Sequence, residues 1–323
     1  MRALITGAAG FVGQWLSRAL LDAGHTVTGG TPDDPAEATI LSADEHEQVE
    51  WVRGDVRKVE DVRHWLDVAT PDAIFHLAGV SSVPGALGDP GMAADVNVVG
   101  AARLLGEVRV RRRTGVLDPV VVMVGSGEQY GRHDKDDLPL AEDAELRPLT
   151  VYAATKVAQE VLALEAHRSE GVRVVCTRSF NHSGPGQNGN FLLPALVGRA
   201  IGLRTARQPR LALGNMTTVR DFLHVADVVD AYILLASRGR PGEVYNVSSG
   251  TGTSVKDLAV RVLQATGVKA ALGTDPDLVR PVDVPALVGD SQKLRDATGW
   301  TPTLSVQDII EDLIAYTAHA PTH

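Results

Sequence analysis

In Tyr152-Ala-Ala-Thr-Lys156 a phenol and an ammonium stand four residues apart. In a helix that spacing sends both side chains out of one face, within reach of one small site. A tyrosine titrates near pH ~10 in isolation, and a cation close by favours the phenolate. The pair is therefore suited to moving a proton. Upstream lies Gly125-Ser126-Gly127-Glu128-Gln129-Tyr130-Gly131, in which Ser126 offers a second hydroxyl for a carbonyl or alcohol oxygen. An ordinary surface pair on an amphipathic helix has the same spacing, so the elements that position these groups must decide what they do.

The expected frame is α/β. Strands are expected over 3–6, 25–28, 49–53, 73–77, 120–124 and 172–177, each a short apolar run. Between them lie helical patterns: one opened by Gly7-Ala-Ala-Gly10-Phe-Val-Gly13 and ended by Gly24, then 60–68 and 92–113. The helix of Tyr152 and Lys156 takes Thr150 as its N-cap and ends at Gly171. Strands alternating with helices imply a parallel sheet covered on both faces. Beyond Phe180 the chain changes character. A Gly-rich polar loop over 181–190 precedes helices at 192–202 and 226–237, strands near Leu211 and over 244–247, and amphipathic helices after Thr253.

Three strand ends carry further candidates. Gly7-x-x-Gly10-x-x-Gly13, with Phe11 and Val12, lies between a strand and a helix, where glycines let a pyrophosphate approach backbone N–H groups. Arg53-Gly54-Asp55-Val56 places Asp55 against an adenine amino group, or leaves it as a turn aspartate. His76-Leu77-Ala78-Gly79 brings backbone close to a cofactor's ribose or phosphate. At 323 residues the chain is long enough for one large or two modest domains. Its 31 basic and 40 acidic residues, a formal charge of −9, argue against a general affinity for nucleic acid or anionic membranes. The single cysteine, Cys176, precludes an internal disulfide or a cysteine-built zinc site. With no charged-then-apolar leader and no run of ~20 apolar residues, the expectation is a soluble, unprocessed, cytoplasmic protein.

Taken together, Gly7-x-x-Gly10-x-x-Gly13, the strand end from His76 to Gly79, Ser126 four residues before Tyr130-Gly131, and Tyr152-x-x-x-Lys156 resemble the extended short-chain dehydrogenases/reductases over essentially the whole chain. The resemblance implies a Rossmann-type doubly wound parallel sheet with a smaller α/β C-terminal substrate-binding domain. The expected boundaries are residues 1–178 for the dinucleotide, with 222–249 returning to that domain, and 179–323 mainly for the nucleotide sugar. It implies Tyr152 as acid/base and Ser126 as the hydrogen-bond partner of the reacting oxygen. Lys156 would bind the nicotinamide ribose and depress the tyrosine's pKa. Asn97 matches a helix asparagine that supports such a site, though a purely structural role is equally open. Relatives commonly pair through a four-helix contact, which here implies a homodimer built on the helices at 92–113 and 150–170. Two departures stand out: Leu149-Thr150-Val151 replaces a usual Ser-Pro pair, and Gly125 replaces a commoner serine.

Cofactor and substrate are read from what surrounds this frame. The second strand runs into Gly29-Gly30-Thr31-Pro32-Asp33, with neither the acidic residue that grips a ribose 2′-hydroxyl nor an arginine for a 2′-phosphate. Without a carboxylate at Gly29 or Gly30 nothing repels a 2′-phosphate, which favours NADP over NAD, although Asp33 is within reach of a ribose. Three C-terminal stretches are similar to those of GDP-4-keto-6-deoxy-mannose reductases: Arg178 to Gln187, Gly214 to Phe222 and Arg280 to Asp290. The resemblance implies a GDP-linked 4-keto-6-deoxy sugar as substrate. Arg220 and Arg280, read as loop residues, would clamp its phosphates, while Asn181 and Asn215 would bind the sugar or phosphate and the nucleoside. Glu128 stands where dehydratases of the family keep a glutamate, and the reductases tend to keep one too; here it is expected to position the sugar. A GDP-mannose 4,6-dehydratase or a 4-epimerase is the same-fold alternative, and a non-catalytic cofactor-binding sensor is the alternative of another class.

Overall fold

A computed structural model describes residues 1–33, 35, 40–279 and 283–319. Seven parallel strands form the central sheet: β1 (Arg2–Thr6), β2 (Thr26–Thr31), β3 (Glu50–Arg53), β4 (Ala73–His76), β5 (Val120–Ser126) and β6 (Val174–Ser179), joined at one edge by β10 (Val244–Val247). Their order, β10-β6-β5-β4-β1-β2-β3, reverses direction between β1 and β4. At such a point the strand ends splay apart, and ligands bind in the crevice.

Alternation along the strands explains why both faces are covered. Ala3, Ile5, Phe75 and Val122 enter one core, with Leu16 and Leu20 of α1 (Phe11–Asp22) and Val228 and Leu235 of α9 (Val225–Arg238). Leu4, Ile74, Val121 and Cys176 enter the other, with residues of α3 (Val59–Ala69), α6 (Ala101–Arg113) and α7 (Val151–Glu170). Successive side chains point to opposite faces, so continuously apolar strands are what a twice-covered sheet requires.

A smaller assembly follows. It includes β7 (Asn181–Ser183), β9 (Val219–His224), β11 (Gly252–Ser254) and β13 (Ala286–Leu287) in one sheet, and β8 (Arg210–Leu213) paired with β12 (Ala271–Thr274) in another. Its core packs Leu196 of α8 (Leu192–Gly202) with Val262 of α10 (Val255–Thr266) and Ile309 and Ile310 of α12 (Val306–His319).

Three local expectations are corrected. The helix expected over 92–113 is interrupted: α5 (Pro90–Ala94) leads into a π-helical turn, Asp95–Gly100, before α6. One extra residue per turn re-aims side chains, and apolar periodicity cannot register it. The second strand runs three residues past its expected end, to Thr31. Gly29 and Gly30 look like turn residues, but a Cβ on either would lie 2.9 Å from the ring of Trp51 or Trp65 respectively, so they are strand residues emptied for two indoles. Arg220 lies on strand β9 and not in a loop; Leu223 of that strand is buried in the main core and Phe222 in the C-terminal one.

Candidate active site

β1 ends at Thr6, and Gly7 turns the chain with a φ of +77° while its N–H donates to Gly30 O at 2.8 Å. A Cβ on Gly7 would lie 2.9 Å from Ala78 N, and one on Gly13 would lie 2.5 Å from both Gly7 O and Ala8 O. The turn is closed to side chains on its inner side. Gly10 caps α1 with no side chain, and no acidic residue occupies the first turn, so the Phe11, Val12 and Gly13 backbone opens the helix with no competing anion. Uncapped N–H groups at the positive end of a helix dipole suit a pyrophosphate. These residues fit a dinucleotide.

That turn opens into a cleft of about 1230 Å³. Leu77, Ala78, Gly79, Asp55 and Val56 line it on the cofactor side; Ser126, Glu128, Tyr152, Lys156 and Asn181 line it farther along. A cleft for one small molecule measures roughly 300–1,000 Å³, so this one has room for more than a single ligand. At its β2 edge stand Thr31, Pro32 and Asp33, with no carboxylate on the strand itself. Asp55 has both carboxylate oxygens engaged by Arg57, whose Nη2 lies 2.5 Å from Asp55 Oδ2; this neighbour holds the carboxyl below its usual range.

Ser126 ends β5 and Tyr152 begins α7, two elements that meet at the cleft. Thr150 caps α7 through its hydroxyl, which accepts from Ala153 N at 3.1 Å, so the departure from a Ser-Pro entry keeps a working cap. Glu128 N–H donates to Ser126 Oγ at 3.2 Å. Burial pushes the Tyr152 phenol up to about 12; a hydrogen bond with Ser126 pulls it down, and the Glu128 charge pushes it up again. Lys156 Nζ donates to Val124 O at 2.9 Å and to Gln159 Oε1 at 3.0 Å, and burial lowers its own pKa to about 8. Two of its three N–H donors thus hold it between the end of β5 and α7.

Asn97 sits on the π-helical turn and is fully buried. Its Oδ1 accepts from Val80 N at 2.8 Å, and its Nδ2 donates to Thr155 Oγ1 at 2.9 Å, pinning the segment after β4 to α7. A Cβ on Gly79 would lie 2.9 Å from Asn97 Oδ1 and 3.5 Å from Lys156 Nζ. Gly125 has an equally local cause: a Cβ there would lie 2.3 Å from Thr177 O and 2.4 Å from Gln129 Oε1, which excludes the commoner serine.

The expected substrate residues fare unevenly. Asn181, on β7, lines the cleft with a buried Oδ1 that has no partner among the described residues. Asn215 lies outside the cleft lining, its Oδ1 accepting from Thr217 N and Oγ1. Arg220 is 8% exposed and also off the lining; its Nη2 pairs with Asp283 at 2.6 Å and its Nη1 donates to Val284 O. Arg220, expected at the ligand, is turned to Asp283, because a buried guanidinium needs its carboxylate. Arg280 lies outside the described residues. Sequence reasoning missed His182, whose ring stacks on Phe11 with centroids 6.4 Å apart, joining β7 to the start of α1. Trp15 Nε1 adds a second tie by donating to Pro185 O at 3.0 Å.

The family model for GDP-mannose 4,6 dehydratase matches residues 4–313. The chain is 32% identical to a GDP-6-deoxy-D-mannose reductase of Pseudomonas aeruginosa, over 97% of this chain and 96% of that one. Among solved structures it resembles RMD from Pseudomonas aeruginosa complexed with NADPH, with a TM-score of 0.82 and 29% identity over 98% of both chains. It also resembles a Thermus thermophilus UDP-glucose 4-epimerase in complex with NAD, with a TM-score of 0.85 and 26% identity over 99% of this chain and 100% of that one. With the glycine turn, the Ser126–Tyr152–Lys156 cleft and a match spanning nearly all its length, the chain belongs to the GDP-mannose 4,6 dehydratase family, within the extended short-chain dehydrogenases/reductases.

Proposed function

We propose that the protein is an NAD(P)-dependent reductase acting on the C4 ketone of a GDP-4-keto-6-deoxy-mannose-type sugar, giving GDP-6-deoxy-mannose, with NADP favoured over NAD. The observation that carries this is geometric: the Ser126 hydroxyl, the Tyr152 phenol, the Lys156 ammonium and Glu128 line one cleft. Similarity to a GDP-6-deoxy-D-mannose reductase and to RMD with NADPH supports the same choice.

When bound, a reduced nicotinamide supplies the hydride. The first turn of α1 holds the pyrophosphate, and Lys156 holds the nicotinamide ribose with a cation fixed at the end of β5. Ser126 O–H polarises the ketone oxygen. Tyr152 Oη gives its proton to that oxygen as it becomes the alcohol. Glu128 positions the sugar hydroxyls, and Asn181, with an Oδ1 that lacks a partner among the described residues, hydrogen-bonds the sugar or its phosphate. Residues 1–178 with 222–249 bind the dinucleotide, and most of 179–323 binds the nucleotide sugar. The helices α6 and α7, which leave Val110 and Val161 each 52% exposed, pair with those of a second copy. A cytoplasmic location suits the lone buried thiol and the fact that no described helix is long and apolar enough to cross a membrane.

The same site admits a 4,6-dehydratase reading because Glu128 lines the cleft and a base at C5 is what dehydration needs. Supplying GDP-, dTDP-, UDP- and CDP-linked 4-keto-6-deoxy sugars with NADPH or NADH, and GDP-mannose separately, separates the two. Reduction of the GDP-linked ketone with GDP-mannose left untouched is the expected outcome; a 4-keto product from GDP-mannose would overturn the reductase reading.

A further inference from the structure

We propose that Gln129 is a positioning residue for the reaction: its amide ties the backbone of Ser126 to Glu160 on α7, so that the serine hydroxyl and Tyr152 keep a fixed separation. The proposal deepens the reductase reading and rests on Ser126 and Tyr152 being the reacting hydroxyls.

The two hydroxyls arrive on different elements, Ser126 at the end of β5 and Tyr152 in the first turn of α7. Catalytic groups must be held to within about 0.5 Å, so something has to fix the strand end against the helix. Gln129 spans the gap. Its Oε1 accepts from Ser126 N at 2.8 Å, and its Nε2 donates to Glu160 Oε2 at 2.9 Å, one helical turn beyond Lys156. Glu160 is in turn immobilised by a buried bidentate pair: Arg178 Nε donates to Glu160 Oε2 at 2.9 Å and Arg178 Nη2 to Glu160 Oε1 at 2.7 Å. Arg178 belongs to β6, the strand paired with β5 beside Ser126, and its Nη1 also donates to Tyr130 OH. The chain of contacts therefore closes on itself through strand, side chain, helix and neighbouring strand.

Gln129 is fully buried, and the room for its amide is made by Gly125, where a Cβ would lie 2.4 Å from Gln129 Oε1. The serine is fixed at two points, since its N–H goes to Gln129 and its Oγ accepts from Glu128 N, the reciprocal pattern of a capping box on the turn Gly127–Tyr130. With Oγ accepting from Glu128 N, its O–H is left to face Tyr152, the hydrogen bond that lowers that phenol's pKa. Val124 O, which receives Lys156 Nζ and Gln159 Nε2, adds two further ties from strand to helix that position the lysine and not the serine.

The test is Gln129→Met, which keeps the length and removes both hydrogen bonds, read in two ways on the whole protein. Turnover of the GDP-linked 4-keto sugar with NADPH is expected to fall roughly ten- to hundredfold in kcat, with the NADPH dissociation constant changed by less than about twofold. In protein labelled with carbon-13 at tyrosine Cζ, the Tyr152 resonance, assigned by its loss in Y152F, is expected to move to the position it takes in S126A. A merely structural glutamine would lower thermal stability yet leave kcat per folded molecule and that resonance unchanged, and either result would overturn the proposal. If the wild-type protein reduces none of the ketones, the reductase reading fails, and the resonance alone then decides for or against the clamp. Should Q129M fail to fold, Q129N, whose amide falls short by one methylene, takes its place in both measurements with the same expectations.

Discussion

With its phenol pushed up to about 12, by burial first and by the Glu128 charge as well, Tyr152 is protonated throughout the neutral range and has a proton to give. Y152F is expected to lower kcat by about 10²–10⁴-fold, the usual worth of a positioned acid, with NADPH binding retained in a fluorescence titration. Lys156 sets a different limit. Burial lowers it to about 8, so it carries its charge at neutral pH and loses it as pH rises through that value, while the phenol above it is still protonated. The pH profile of kcat/KM, which reports the free enzyme, is therefore expected to be level near neutrality and to fall above about pH 8. K156R, whose guanidinium keeps its charge, should show a lower kcat/KM without that falling limb. A profile that keeps the limb in K156R would assign it to another group.

At the scale of the element, the glycine turn and the π-helical turn each hold the site by what they leave out or re-aim. A Cβ at Gly13 would lie 2.5 Å from two carbonyl oxygens, so G13A is expected to abolish NADPH binding while the far-UV circular dichroism stays that of the native fold. Asn97→Ala removes the acceptor for Val80 N–H and the donor to Thr155, both buried or nearly so, and is expected to cost about 1–3 kcal/mol in urea denaturation. The sheet was legible because its strands are apolar runs capped by glycine turns, and Tyr152 with Lys156 because a helix face has a period. The π-helical turn was not legible, since one inserted residue leaves the apolar pattern of 92–113 intact. Nor was the fate of Arg220: its charge reads the same whether it faces a phosphate or, as here, Asp283 across 63 residues of chain. Gln129 did leave a trace, in the Ser126-x-x-Gln129 spacing of a capping box.

Across the whole molecule, the strand order reverses at β1 and β4, and β7 with the loop after it is tied to α1 by Phe11 stacked on His182 and by Trp15 Nε1 donating to Pro185 O. This makes one cleft out of two assemblies, which is how a dinucleotide and a nucleotide sugar come to share a proton donor. The outward faces of α6 and α7 are expected to meet a second copy, and V110E with V161E should convert a dimer to a monomer in sedimentation, with the cleft and its cofactor binding intact. The central claim is that hydride goes to C4 of a GDP-linked ketone. Its most direct test is to supply GDP-4-keto-6-deoxy-mannose with NADPH deuterated at the transferred position and to read the sugar by NMR. Deuterium is expected at C4 of GDP-6-deoxy-mannose, with one cofactor oxidised per sugar; an unlabelled sugar, or a ketone left unreduced with no cofactor oxidised, would contradict it.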